Sequence, residues 1–145
     1  MNAFKILFCL MFLLFPCIVT AQGYNSPLDE KMPIVAWYSI ESGHITKDEF
    51  KRLNKAGFNL SLSMSLSKED IISSLRAAKG TGVKLIVQDR RINNYDESFI
   101  SQIKEEKSLG LYYLYDEPSV VHFPDLAEQV QRMNNIDSLH MTYIN

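Results

Sequence analysis

The chain reads as an α/β protein built on a parallel sheet. Short apolar, β-branched segments alternate with amphipathic ones of helical period from Pro33 onward, and that alternation argues for a sheet whose crossovers are helices. Gly57, Gly82 and Gly110, each at the opening of an expected strand, recur at intervals of 25 and 28 residues, the length of a βα unit and too long for a hairpin. Two architectures fit: an open doubly wound sheet, or a (β/α)8 barrel of about 250 residues, of which this chain would hold about four and a half units. The first βα turn, Ile40-Glu41-Ser42-Gly43-His44, matches neither the dinucleotide nor the triphosphate fingerprint, which weighs against the doubly wound sheet. The pattern alone does not choose.

Each element has a local reason. Pro33 to Ile40 is a first strand running into polar Glu41-Ser42-Gly43. Thr46-Lys47-Asp48-Glu49 forms a capping box, with Phe50, Leu53 and Ala56 on one helical face and Gly57 to end the helix. Phe58 to Ser63 makes a second strand; Ser67 opens a helix carrying Ile71, Leu75 and Ala78, which Gly80-Thr81-Gly82 ends. Val83 to Val87 is the third strand, with Phe99, Ile100 and Ile103 on the following helix. Leu111 to Tyr115 is the fourth, with Leu126, Val130 and Met133 spaced for a helix after Pro124. His140 to Asn145 begins a fifth strand, and the sequence stops within it, which reads as a truncated barrel.

Ahead of these units stands an export signal. Ile6 to Phe15 is an unbroken apolar run after Lys5, followed by Val19-Thr20-Ala21 with small residues before a cut; such a run is too short to span a bilayer. Residues 1–21 are expected to be a signal peptide and 22–32 a linker, leaving 33–145 as the folded domain of a periplasmic or extracellular bacterial protein with no stable membrane insertion. A signal anchor is the competing reading. Both cysteines, Cys9 and Cys17, lie in the leader, so the mature chain has no disulfide and no thiolate nucleophile or ligand. With 17 acidic against 15 basic residues, nothing electrostatic favours nucleic acid or an anionic membrane as partner.

Ligands of parallel α/β folds meet the carboxyl ends of the strands. Here those ends read Glu41, Ser63-Met64-Ser65, Gln88-Asp89-Arg90-Arg91, Asp116-Glu117-Pro118 and Asn145. Polar loops follow any strand, so Glu41 and Ser63 carry little. Asp116 and Glu117 carry more: two adjacent carboxylates after a buried strand should repel and be desolvated, raising at least one pKa. The competing account is that Pro118 occupies a first helical position, with the acids serving the helix start. Trp37, Tyr38, Tyr113 and Tyr115 offer flat faces for sugar rings or simply pack. Asp89 with Arg90 and Arg91 could hold a hydroxyl or a carboxylate, or form a surface ion pair. His44, His122 and His140 share no metal-ligand spacing, so no metal or other cofactor is expected; His140 alone is placed to face a site.

A strand ending in Asp116-Glu117-Pro118 after the fourth βα unit, with Ala56-Gly57-Phe58-Asn59 at the second strand and Asp89 closing the third, resembles the N-terminal half of a glycoside hydrolase TIM barrel. It is similar to the β-galactosidase-like glycosidases of Bacteroides-type bacteria, within the clan of retaining enzymes. The resemblance implies an acid/base glutamate closing strand four, usually after an asparagine, and a nucleophilic glutamate closing strand seven. By position Glu117 would be the acid/base, and Asp116 would take the asparagine's place in orienting substrate, a departure because a carboxylate accepts from a sugar hydroxyl but does not donate. Trp37, Tyr38, Asp89, Arg90, His140 and Asn145 would line an oligo- or polysaccharide site. The nucleophile would lie beyond Asn145, so this chain alone would be inactive. Two other readings stay open: a non-catalytic glycan-binding half barrel that self-associates through its open strand edges, and a small doubly wound domain.

Overall fold

The computed structural model describes residues 32–64 and 66–145. The expected signal peptide and nearly all of the expected linker lie outside these residues. Five parallel strands, β1 (Val35–Trp37), β2 (Leu60–Leu62), β3 (Lys84–Val87), β4 (Leu109–Tyr115) and β5 (Met141–Ile144), form one sheet in the order β1-β2-β3-β4-β5. The crossovers carry α1 (Lys47–Lys55), α2 (Lys68–Ala78), α3 (Arg90–Asn93), α4 (Glu97–Ile103) and α5 (Phe123–Ile136).

Strand order decides between the two architectures. A doubly wound sheet reverses direction at a switch point and carries helices on both faces; here every strand pairs with its sequence neighbour. Side-chain packing agrees. Phe50 of α1, Leu75 of α2, Ile92 of α3, Ile100 of α4 and Met133 of α5 share one core with Leu85, Val87, Tyr112 and Leu114 of the sheet. The opposite face holds a second cluster of Leu60, Leu62, Ile86, Leu111 and Tyr113, flanked by Val35, Met64, Met141 and Tyr143. All five helices cover one face, and the other is the face a barrel encloses. Four βα units and a fifth strand of a barrel are present, and the doubly wound reading is set aside.

Several boundaries differ from expectation for local reasons. β1 spans only Val35–Trp37 because Tyr38 adopts a left-handed φ of 52°, which a strand cannot continue through. The box at α1 is half made: Thr46 Oγ1 accepts from the Glu49 N–H at 3.3 Å, while the Glu49 carboxylate accepts from Arg52 at 2.9 Å. Ala56 caps this helix and is exposed. Gly57 and Gly82 sit at φ of 97° and 85°, as turn glycines should. Gly110, in contrast, lies inside β4. A Cβ there would stand 3.1 Å from both Leu85 O and Lys84 Cβ, so it is the lack of a side chain that matters, beside the register shift between Leu85 and Ile86.

Candidate functional site at the carboxyl rim

β4 delivers the acidic pair, and its ladder with β5 places it. Tyr113 lies opposite Tyr143, but Tyr115 lies opposite Ile144, so one extra residue enters β4 between them. That bulge resets the alternation of side chains. Tyr113 faces the enclosed cluster. Tyr115 instead meets His122 ahead of α5, with ring centroids 5.0 Å apart and a 3.3 Å contact between its hydroxyl and Nε2. Asp116 then rejoins the side of Tyr113 and β5: its Oδ1 accepts from Asn145 Nδ2 at 3.0 Å, and Asn145 Oδ1 accepts from the Tyr143 hydroxyl at 3.1 Å.

Glu117 follows in a conformation glutamate rarely adopts, with φ of 47°. A non-glycine residue in the left-handed region costs about 1–2 kcal/mol. Two backbone hydrogen bonds hold the turn: the Glu117 N–H donates to Asn145 O at 3.0 Å, and the Asn145 N–H donates to Tyr115 O at 3.1 Å. Helix-start chemistry does not account for the pair. α5 begins only at Phe123, with Pro124 in its first turn and Asp125 as its early acid, and Pro118 precedes a separate 3-10 turn at Val120–His122.

The electrostatics also depart from expectation. Asp116 and Glu117 are both exposed, so the desolvated setting expected of the pair is not found. The Asn145 amide first, and the Tyr113 hydroxyl second, hold the Asp116 carboxyl below its ordinary pKa. Tyr113 itself is 2% exposed, and its hydroxyl makes no hydrogen bond of good geometry. Burial, then the neighbouring Asp116 charge, pushes its ionisation well above that of a free tyrosine. Trp37 completes the arrangement from β1, edge-on to Tyr113 at 6.1 Å, and Tyr143 lies tilted on the other side of Tyr113 at 5.6 Å. Trp37, Asp116, Glu117 and Asn145 are therefore brought together, joined by Tyr113 and Tyr143. Tyr143 was not among the expected site residues, although its place two residues before Asn145 puts it on the same face.

The remaining expected residues lie elsewhere. His140 precedes β5, at the amino end of the sheet. Its Nδ1 lies 2.7 Å from Asp137 Oδ2, which also accepts from the Tyr112 hydroxyl at 2.7 Å, and Tyr112 belongs to the helix-side core. His140 thus ties α5 to the sheet and does not face the rim. Tyr38 is 70% exposed and lines an open cleft between the end of β1 and α1 with Glu41, His44 and Arg52. Asp89 caps α3, a short helix the sequence reading missed: Oδ1 accepts from the Arg91 N–H at 2.7 Å and Oδ2 from Arg91 Nη2 at 2.8 Å. Its ion-pair partner is Arg91, while Arg90 stands exposed at the mouth of a second rim cleft between the loops after β2 and β3. Asn59, part of the motif behind the resemblance, pins the start of β1, accepting from the Ile34 N–H at 2.7 Å and donating to Met32 O at 2.8 Å.

No protein-family model and no curated protein matches the sequence. A match in structure is a plant β-glucan endohydrolase. The two superimpose with a TM-score of 0.52 at 11% sequence identity, over 78% of this chain and 40% of the other. At that identity the likeness speaks for the fold, a partial (β/α)8 barrel. The chain spans less than half the length of the protein it matches.

Proposed function

We propose that the chain is an exported carbohydrate-active protein, the first half of a glycoside hydrolase barrel of the retaining type, with Glu117 as general acid/base. The observation that carries this reading is the conformation of Glu117: a strained φ of 47°, fixed by a 3.0 Å hydrogen bond to the next strand, at the carboxyl end of β4. Strain kept at an exposed acidic residue, with no helix start to explain it, supports this reading. Asp116 would accept from a sugar hydroxyl, and the Asn145 amide that orients it would supply the donor that a carboxylate lacks. Trp37 would give an apolar face to a sugar ring.

A retaining mechanism needs a second carboxyl group about 5–5.5 Å from the acid. Asp116 is given the orienting role beside Asn145, so we assign the nucleophile to a strand-seven glutamate of a completed barrel. In such a barrel, Glu117→Gln should lose activity on aryl glycosides with poor leaving groups far more than on those with good ones, because only the former need protonation. Equal loss on both removes Glu117 from the acid role.

The open barrel face favours a second reading, a glycan-binding half barrel without catalysis. Its partner through the strand edges would be a second copy, and sedimentation of the purified chain as a stable monomer would exclude that pairing. Export rests on the pattern of residues 1–21, and secretion of a reporter fused behind them tests it.

A further inference from the structure

The second rim cleft, of roughly 970 Å³, lies between the loops that follow β2 and β3 and is lined by Lys68, Glu69, Asp89, Arg90, Arg91 and Asn93 among others. Its charges are unevenly committed. Asp89 is fully engaged by Arg91 through two hydrogen bonds. Lys68 and Arg90 form no ion pair among the described residues, which leaves two cations against the single carboxylate of Glu69. Phe99 concentrates this charge: Lys68 Nζ stands 5.9 Å from the centre of its ring and the Arg91 guanidinium 4.6 Å. Arg91 is thus spent on Asp89 and on the Phe99 face, and the cations left for a ligand are Lys68 and Arg90.

We infer that this cleft is a subsite for an acidic sugar, binding the carboxylate of a uronic residue or the sulfate ester of a sulfated one through Arg90 and Lys68. The inference deepens the glycosidase reading and rests on it for the location of the glycan, since the cleft opens at the same strand ends as Asp116 and Glu117. A guanidinium pairs with a planar carboxylate by two parallel hydrogen bonds. Asn93, exposed beside it, offers an amide to neighbouring hydroxyls.

The test is equilibrium binding of tetragalacturonate, a sulfated tetrasaccharide and cellotetraose to the purified full chain. At least one acidic ligand should bind about tenfold tighter than cellotetraose and weaken as salt rises. Arg90→Gln and Lys68→Gln should each lose most of that preference, and Glu69→Gln should strengthen it; Arg90 and Glu69 are exposed and Lys68 is half-buried, so a thermal melt of each variant separates lost binding from lost folding. Whichever acidic ligand prevails identifies the group recognised. Equal binding of acidic and neutral ligands, or an acidic preference unchanged in both cation variants, overturns the proposal. Failure of the hydrolytic reading would appear separately, as inactivity of a completed barrel on every glycoside.

Discussion

The Trp37 indole stands edge-on to the Tyr113 ring, with centroids 6.1 Å apart, although two strands lie between them in the sheet. Strands are spaced by about 4.8 Å, so on a flat sheet β1 and β4 would lie about 14 Å apart and side chains perpendicular to it would not meet. The sheet is therefore strongly concave towards its helix-free face. Curvature lets Leu60, Leu62, Ile86 and Leu111 be at most 4% exposed with no helix of the described residues above them. It also brings a β1 aromatic to the acids of β4.

Trp37 is the sole tryptophan and is 38% exposed, so its fluorescence reports this concavity directly. Acrylamide should quench it in the free protein, and a saturating oligosaccharide should protect it and shift its emission to the blue as the indole loses water. Unchanged quenching with glycan bound elsewhere would take Trp37 out of the binding face.

Asp116 and Asn145 make a second readable pair. The Asn145 amide is the largest influence lowering the Asp116 pKa, followed by the Tyr113 hydroxyl. A depressed carboxylate contributes stability above its ordinary pKa, near 3.8, and that contribution is lost as pH falls through the lower folded value. In Asn145→Ala the Asp116 midpoint, followed by carboxyl carbon chemical shift, should move up towards the ordinary value. A midpoint that stays put would show that Tyr113 alone sets the charge.

Away from the rim, Asp137 is the polar clamp of the helix-side core, 5% exposed. Burial alone would raise its pKa, but the Tyr112 hydroxyl, the Leu139 N–H and His140 outweigh burial and hold it low. Asp137→Ala strands a buried tyrosine hydroxyl and should cost about 3 kcal/mol, read as a lower urea midpoint. The pH signs are opposite at the two ends of the clamp. The Asp137 contribution is present above the ordinary carboxylate pKa and lost as acid approaches its lowered one. Tyr112, raised above 10.0 by burial and then by Asp137, contributes below the ordinary tyrosine pKa and loses that contribution as pH rises past it. Asp137→Ala should abolish the acid limb and only reduce the alkaline one, which burial sets first.

What the sequence made legible is what periodicity encodes. Apolar runs bounded by Gly57, Gly82 and the Ser67 cap located strands and helices, because burial and turn geometry act within a few residues. Strand order was not legible, since sequential and reversed sheets share one βα pattern. Nor was the extra residue in β4, which reverses the faces of Tyr115 and Asp116 and follows from pairing with β5. His140 misled for the same reason: a histidine beside a strand faces the rim or the helix layer according to which strand end it occupies, and Asp137 with Tyr112 captures it at the amino end. Asp89 sat at a rim position, but its own following helix claimed it.

The strain at Glu117 gives the sharpest separation of stability from function. Glycine adopts a φ of 47° at no steric cost, whereas alanine meets the same clash as glutamate. Glu117→Gly and Glu117→Ala remove the same carboxylate, so their difference isolates the backbone; the greater entropy of an unfolded glycine chain offsets part of the gain. Glu117→Gly should be the more stable of the two by about 1 kcal/mol in urea unfolding, with both lacking acid catalysis in a completed barrel. If alanine proves as stable as glycine, the turn is unstrained in solution and the Glu117 backbone gives no support to a catalytic role.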